Sequence, residues 1–173
     1  MSKGKAPKPL TAASLEAAAL RYLERFQTTR ARLSRHLALK VRNAGWGEEA
    51  PPDISGLVER LHARGYLDEA AFADARVRGM IGKGFGSRRI AARLMADGID
   101  RDQASDRADS ADAESQARAF ARRKRFGPRM GEALDRATRR RQFAAMLRAG
   151  HSADVALRVL EEPCDGSEDP GPD

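Results

Sequence analysis

The chain has 173 residues, 41% hydrophobic and 33% charged, with one Trp, two Tyr and six Phe; it can bury a thin core of Ala, Leu and Val, shared among small helix clusters rather than one ball. A net charge of +7 and a pI near 10.2 point to an anionic partner. No apolar stretch reaches the length of a membrane span, residues 1–10 lack the apolar segment of a signal peptide, and a single cysteine, Cys164, excludes an internal disulfide or a cysteine-built metal site, so a cytoplasmic protein is expected.

In chain order, residues 1–13 are rich in Lys, Pro and small polar residues and are expected to form a disordered basic tail. Ser14 is a candidate cap for a helix whose apolar stripe is Leu15, Ala18, Ala19, Tyr22, Leu23 and Phe26. Thr28-Thr29 opens a second helix with Leu33, Leu37 and Val41 inward, ending at Gly45, after which Trp46 is expected to plug the core. Residues 47–52 form a loop, and Asp53 caps a third helix carrying Ile54, Leu57, Val58 and Leu61. These helices make a first three-helix unit over residues 14–64.

The second unit is expected over residues 65–110. Gly65 stops the preceding helix, Tyr66 and Leu67 dip into the core, and Asp68 caps a helix through Phe72, Val77 and Met80. Lys83-Gly84-Phe85-Gly86 reads as a mobile loop, followed by a Ser87-capped helix burying Ile90, Ala91 and Leu94. Gly98-Ile99-Asp100 is a further stop, plug and cap, leading to a short helix over about 101–110.

A third unit is expected over residues 111–161: a basic helix over about 111–124 with Ala113, Ala117, Phe120 and Ala121 inward, a break at Phe126-Gly127-Pro128, a long helix over about 131–149 with Leu134, Phe143, Met146 and Leu147 inward, and a last helix over 153–161. Residues 162–173 form an acidic, flexible tail. No segment alternates with period two, so the fold class is all-α.

One pattern recurs through these units. Ser34-Arg35-His36-Leu37 runs eleven steps to Gly45, Ser87-Arg88-Arg89-Ile90 eleven steps to Gly98, and Arg139-Arg140-Arg141-Gln142 eleven steps to Gly150, with Val41, Leu94 and Met146 in the same place. Chance likeness among arginine- and alanine-rich helices is the alternative, but the aligned glycines and the short helix after each favour true repetition. Tandem three-helix, helix-turn-helix-like units forming an elongated, curved stack are expected, with function on an extended surface.

Gly82-Lys83-Gly84-Phe85-Gly86-Ser87 lacks the Gly-Lys-Ser/Thr ending and the preceding strand of a phosphate loop. His36, His62 and His151 show no metal-ligand spacing, and no nucleophile stands on a sharp turn, so neither metal, cofactor nor enzyme activity is expected. Charge segregation is more informative. Residues 118–141 hold ten basic residues against Glu132 and Asp135, whereas residues 161–173 carry six acids and no base. Arg118, Arg122, Arg125 and Arg129 fall on roughly one helix face. The clusters Arg122-Arg123-Lys124-Arg125 and Arg139-Arg140-Arg141 suit phosphate backbones or acidic protein surfaces.

Four passages then resemble the RecX family, regulators of the RecA recombinase. Residues 65–73, Gly-Tyr-Leu-Asp-Glu-Ala-Ala-Phe-Ala, are similar to its Gly-Tyr-Leu-Asn/Asp-Asp-x-x-Phe-Ala signature. Gly86-Ser87-Arg88-Arg89-Ile90 with Leu94 and Gly98-Ile99 resembles its Gly-x-x-x-Ile-x-x-x-Leu-x-x-x-Gly-Ile element. Ser34-Arg35-His36-Leu37 resembles its early Ser-x-x-Leu. Residues 146–152 resemble its closing Phe-Leu-x-x-Arg-Gly-Phe-Ser, with His151 in place of the usual aromatic. The resemblance spans about residues 15–161 and implies tandem three-helix repeats, acting as a monomer, that lodge in the groove of the RecA–DNA filament and suppress ATP hydrolysis, strand exchange and co-protease activity. Arg88, Arg89, Arg122, Arg123, Arg125, Arg139, Arg140 and Arg141 are the expected contacts; a sequence-independent DNA-binding protein is the alternative, because three-helix units can mimic helix-turn-helix modules.

Overall fold

The computed structural model describes residues 8–109, 112–128 and 134–162. Among them it contains nine helices: α1 (Ala12–Leu23), α2 (Arg30–Ala44), α3 (Ile54–Ala63), α4 (Glu69–Ile81), α5 (Ser87–Ala96), α6 (Arg101–Ala108), α7 (Ala113–Lys124), α8 (Arg136–Arg148) and α9 (Ala153–Glu161). Residues 1–7, the stretch at 129–133 and the acidic residues after 162 lie outside the described residues, as does Cys164.

Local chemistry explains most helix starts. The Thr29 hydroxyl accepts from Arg32 N at 3.2 Å, an Asp53 carboxylate oxygen from Gly56 N at 2.8 Å and an Asp68 oxygen from Ala71 N at 2.8 Å; Asp100, Asp112, Asp135 and Ser152 do the same for α6 to α9. Each satisfies an N–H that the first helical turn leaves without a partner. Two expectations shift. Helix α1 is capped by Thr11, with Ser14 as the reciprocal partner whose Oγ accepts from Thr11 N at 2.8 Å. Helix α5 is capped by the Gly86 backbone with no side-chain bond, so Ser87 is its first residue and not its cap.

The repeated glycines do close helices: Gly45, Gly98 and Gly150 have φ of +82°, +96° and +96°, a region that L residues enter at a cost of roughly 1–2 kcal/mol. The polar starts of the repeat hold only once. Helix α5 begins at Ser87, whereas Ser34 and Arg139 lie inside α2 and α8, which open four and three residues earlier.

The chain divides into two compact units, Met1–Phe72 and Ala73–Asp173. In the first, Leu15, Ala19, Leu33, Leu37, Leu57, Val58, Leu61 and Leu67 form one core, with Trp46, Val41 and Leu10 packed against it. Leu10 and Trp46 pair as a single parallel bridge, and the Trp46 indole N–H donates to Ala50 O at 2.6 Å; the plug is therefore pinned from both sides. Leu67 is buried, but Tyr66 is 54% exposed. The Glu69 carboxylate reaches back to α2, accepting from Arg30 N at 2.8 Å and from the Arg30 guanidinium at 3.0 Å. Burial pushes this carboxyl up, but the hydrogen bonds and charge of Arg30 outweigh it and hold it below the usual range.

The second unit contains two cores. One joins Ala73, Val77, Ile90, Leu94, Ile99, Ala104 and Ala108 from α4 to α6. The other joins Ala117, Phe120, Ala121, Met146, Ala149, Val155, Ala156, Val159 and Leu160 from α7 to α9. Met146 is buried while Leu147 and Ala113 face solvent, because the inward stripe of each helix is narrower than its apolar content suggests. Phe85 packs against both cores, so the 82–86 stretch is a seam rather than a mobile loop. Gly86 N donates to Ala149 O at 2.9 Å. A Cβ on Gly86 would overlap the Gly150 backbone, one on Gly150 the Arg89 backbone, and one on Gly84 would lie 2.8 Å from Phe120 N. These glycines let two backbones touch. The buried His151 ring completes the seam, its Nε2 3.1 Å from Gly84 O and its centroid 5.6 Å from the Phe120 ring. The imidazole thus fills the aromatic position and also satisfies a buried carbonyl.

A candidate partner-binding surface on the second unit

All eight arginines expected to contact a partner lie in the second unit. Two of them are built into the seam. Arg89 lies over the Phe85 ring, 4.4 Å from guanidinium carbon to centroid, and its Nη1 donates to Arg148 O at 3.2 Å, satisfying an end carbonyl of α8. Arg123 donates from Nη2 to Gly82 O at 2.7 Å. The end of α7 and the start of α5 are thereby tied to the same short stretch of chain.

The α8 cluster is divided. Arg139 pairs with Glu161 at 2.7 Å and Arg141 with the Thr138 hydroxyl at 2.9 Å. Arg88, Arg122, Arg125 and Arg140 are exposed and, among the described residues, make no side-chain hydrogen bond or ion pair. Arg125 is also the one described non-glycine residue with positive φ, at 55°. It closes α7 in the left-handed cap position that glycine ordinarily fills.

The expected face of Arg118, Arg122, Arg125 and Arg129 does not form as one stripe. Arg129 lies outside the described residues. Arg118 is held fork to fork by Glu162, at 2.9 Å on two contacts, and by Glu114 at 2.9 Å. Arg158 adds a contact to Glu114 at 2.9 Å. Hydrogen bonding to Arg118 holds the Glu162 carboxyl below its usual range, and the guanidinium is correspondingly harder to deprotonate. At this end of α7 and α9 acids have neutralised the bases; at the other end of α7 they have not.

A feature that sequence reasoning missed lies between α4 and α5. Arg76, Met80, Lys83, Phe85, Arg89, Ala92, Arg93 and Ala96 line a shallow cleft of about 410 Å³. Beside it Asp97, only 3% exposed, forms ion pairs with Arg76 at 3.3 Å and with Arg93 at 3.2 Å, the latter also a hydrogen bond from Arg93 Nε. The available signal was the spacing 76, 80 on α4 and 89, 92, 93, 96 on α5, which puts each set on one face, with Lys83 and Phe85 supplied by the stretch between the two helices. Among the described residues no group of three or more His, Cys, Asp or Glu could hold a metal ion, and no helix is long and apolar enough to cross a membrane.

Comparison with known proteins decides the family. The regulatory protein RecX of Myxococcus xanthus (strain DK1622) is 31% identical over 167 residues, covering 91% of this chain and 89% of its own length. The chain belongs to the RecX family. The RecX of Halorhodospira halophila (strain DSM 244 / SL1) is 34% identical over 90% of the chain and 91% of its own. The profile of RecX, second three-helix domain, matches residues 68–106, the stretch that holds Arg88, Arg89 and the cleft. Two solved structures share the fold: RecX from Lactobacillus salivarius, with a TM-score of 0.64 at 20% identity over 87% of this chain and 94% of that one, and a regulatory protein RecX with a TM-score of 0.65 at 21% identity over 87% and 74%. The RecX signature residues have structural tasks here. Leu67, Phe72, Ile90, Leu94 and Ile99 are core, Asp68 is a cap, and Gly86 and Gly150 are the seam.

Proposed function

We propose that this chain binds the RecA recombinase and the RecA–DNA filament, and there lowers RecA's ATP hydrolysis, strand exchange and co-protease activity in recombination and the SOS response. The observation that carries the reading is the set of exposed arginines that have no partner among the described residues, Arg88, Arg122, Arg125 and Arg140, on the second unit of a RecX-family chain whose motif residues are otherwise spent on the core and seam. An exposed guanidinium without an internal partner keeps its full attraction for an anionic polymer, within the screening length of the medium. Arg125 strengthens the reading: a side chain kept at a backbone position where glycine would relieve strain suggests a role outside folding. Arg89, Arg123 and Arg141 are held by a carbonyl, a carbonyl and a hydroxyl that leave their charge intact, whereas the charge of Arg139 is already opposed by Glu161, so Arg139 contributes less on binding.

On this reading residues 14–64, 65–110 and 111–161 are three successive modules, each adding modest contacts whose sum is large on a repeating filament. The protein acts in the cytoplasm as a monomer, without a cofactor. Addition of the purified chain to RecA, single-stranded DNA and ATP tests this directly: hydrolysis should fall, and unchanged hydrolysis at saturating chain would end the proposal. The same exposed cations favour one second reading, sequence-independent DNA binding. Tight, strongly salt-dependent binding to duplex DNA with no effect on RecA's ATPase would select it instead.

A further inference from the structure

We infer that the cleft between α4 and α5 docks an acidic protein segment that inserts one apolar side chain between its carboxylates. The cleft's composition argues for this occupant. Met80, Phe85, Ala92 and Ala96 give it an apolar floor, and Arg76, Lys83, Arg89 and Arg93 ring that floor with cations. Ala92 and Ala96, one turn apart on α5, make the depression by their small size. A volume of about 410 Å³ lies at the small end of the range of ligand pockets and leaves room for one apolar side chain together with the backbone that carries it. A phosphate backbone has nothing to bury on such a floor, and protein surfaces that bind nucleic acid are mostly polar and cationic throughout, without an apolar floor of this kind. An acidic peptide with one apolar residue matches both the floor and the rim.

The rim is also preorganised. Arg76 and Arg93 share the buried Asp97, and one carboxylate between two guanidiniums leaves the pair net positive. Arg89 is held by the Phe85 ring and the Arg148 carbonyl. Side chains already fixed lose little freedom on binding, which favours affinity. The inference deepens the reading above by assigning this face to protein rather than DNA. It rests on that reading only for the partner's identity, not for the chemistry of the site.

The probe is a synthetic fluorescent peptide with a single leucine flanked by glutamates, titrated into the full chain by anisotropy. Its control carries serine in place of leucine. The leucine peptide should bind about tenfold more tightly than the serine peptide, a difference of about 1.4 kcal/mol, because leucine covers apolar area on the floor that serine cannot. Ala92→Trp, at an exposed helical position, fills the cleft without altering charge. It should weaken the leucine peptide about tenfold while leaving helicity and affinity for a duplex oligonucleotide unchanged. Lys83→Glu should weaken both peptides several-fold at low salt. Equal binding of the two peptides, or unchanged binding after Ala92→Trp, overturns the inference. So does an equal loss of peptide and duplex binding in Ala92→Trp, which would mark a nucleic-acid groove. The RecA ATPase assay is read separately: leucine-selective binding without ATPase inhibition would keep the cleft and discard the RecA reading.

Discussion

Gly45 in the first unit and Gly150 in the second stand at the same place in the sequence repeat and both have positive φ, +82° and +96°, yet they do different work. Around Gly45 nothing lies within 4 Å of where a Cβ would be; at Gly150 a Cβ would run into the Arg89 backbone. The first glycine is needed for its φ alone. The second also lets α5 and the 150–151 turn touch, which is how two cores become one unit. The repeat therefore shares the helix stop, and only its third stop glycine also forms the seam. The charges, by contrast, are treated alike in the two units. Arg30 is claimed by Glu59 and Glu69 in the first and Arg118 by Glu114 and Glu162 in the second, while exposed arginines face solvent in both, Arg25 and Arg42 in the first and Arg88, Arg122, Arg125 and Arg140 in the second.

The largest effect should come from breaking the contrast between the two glycines. Gly150→Ala should cost the second unit more than about 3 kcal/mol, because backbone must move as well as strain be accepted, and Gly45→Ala only about 1–2 kcal/mol. Trp46, the single tryptophan, reports on the first unit, so denaturation followed by fluorescence and by far-ultraviolet circular dichroism reads the two effects apart. Equal losses would show that the seam contributes little. Next in size, reversing Arg88, Arg122 and Arg125 to Glu together should weaken inhibition of RecA's ATPase about tenfold or more. Reversing Arg139 alone should do less, since its charge is already opposed by Glu161. A stronger effect from Arg139 would invert the proposed ranking.

The seam also predicts a pH dependence. Burial holds the His151 imidazole below its usual range, although the Gly84 carbonyl partly offsets this. The folded state therefore takes up its proton at lower pH than the unfolded chain. Its contribution is fully present above the ordinary histidine pKa of about 6.5 and is lost as pH falls from there through the lowered folded value. His36 in the first unit, lowered by burial and Lys40 and stacked on Tyr22 at 4.1 Å, works in the same direction. The comparison is sharpened by His151→Phe, which should flatten the pH dependence of stability that remains in a His36→Phe background; an unchanged slope there would count against the seam histidine. The smallest effect is Arg125→Gly. It should stabilise the second unit by about 1 kcal/mol by relieving the left-handed backbone while weakening RecA inhibition, and a stabilised variant with full inhibition would remove Arg125 from the partner surface.

How much was legible beforehand follows the distance over which each interaction acts. Thr29, Asp53, Asp68 and Asp100 could be read as caps because a cap bonds to an N–H two or three residues away. Ser87 misled because the same sequence signal was overridden: the Gly86 backbone, bound to Ala149 O, occupies the cap. The eight arginines looked alike in sequence. What separates Arg122 from Arg139 is a glutamate 22 residues further on, and what removes Arg118 is a glutamate 44 residues away. The cleft needed two helices side by side, and Arg76, Lys83 and Arg93 give no local hint of sharing it.

From its residues alone this protein was determined to be helical, RecX-like, and closed at fixed points by Gly45, Gly98 and Gly150, because helix periodicity, caps and left-handed stops are properties of a few neighbouring residues. Only tertiary structure decided that the 82–86 glycines are a seam, that His151 serves as a buried aromatic, and which arginines remain available to a partner. Those outcomes depend on which carboxylate or backbone happens to lie within about 3 Å after folding, and no local pattern encodes that distance.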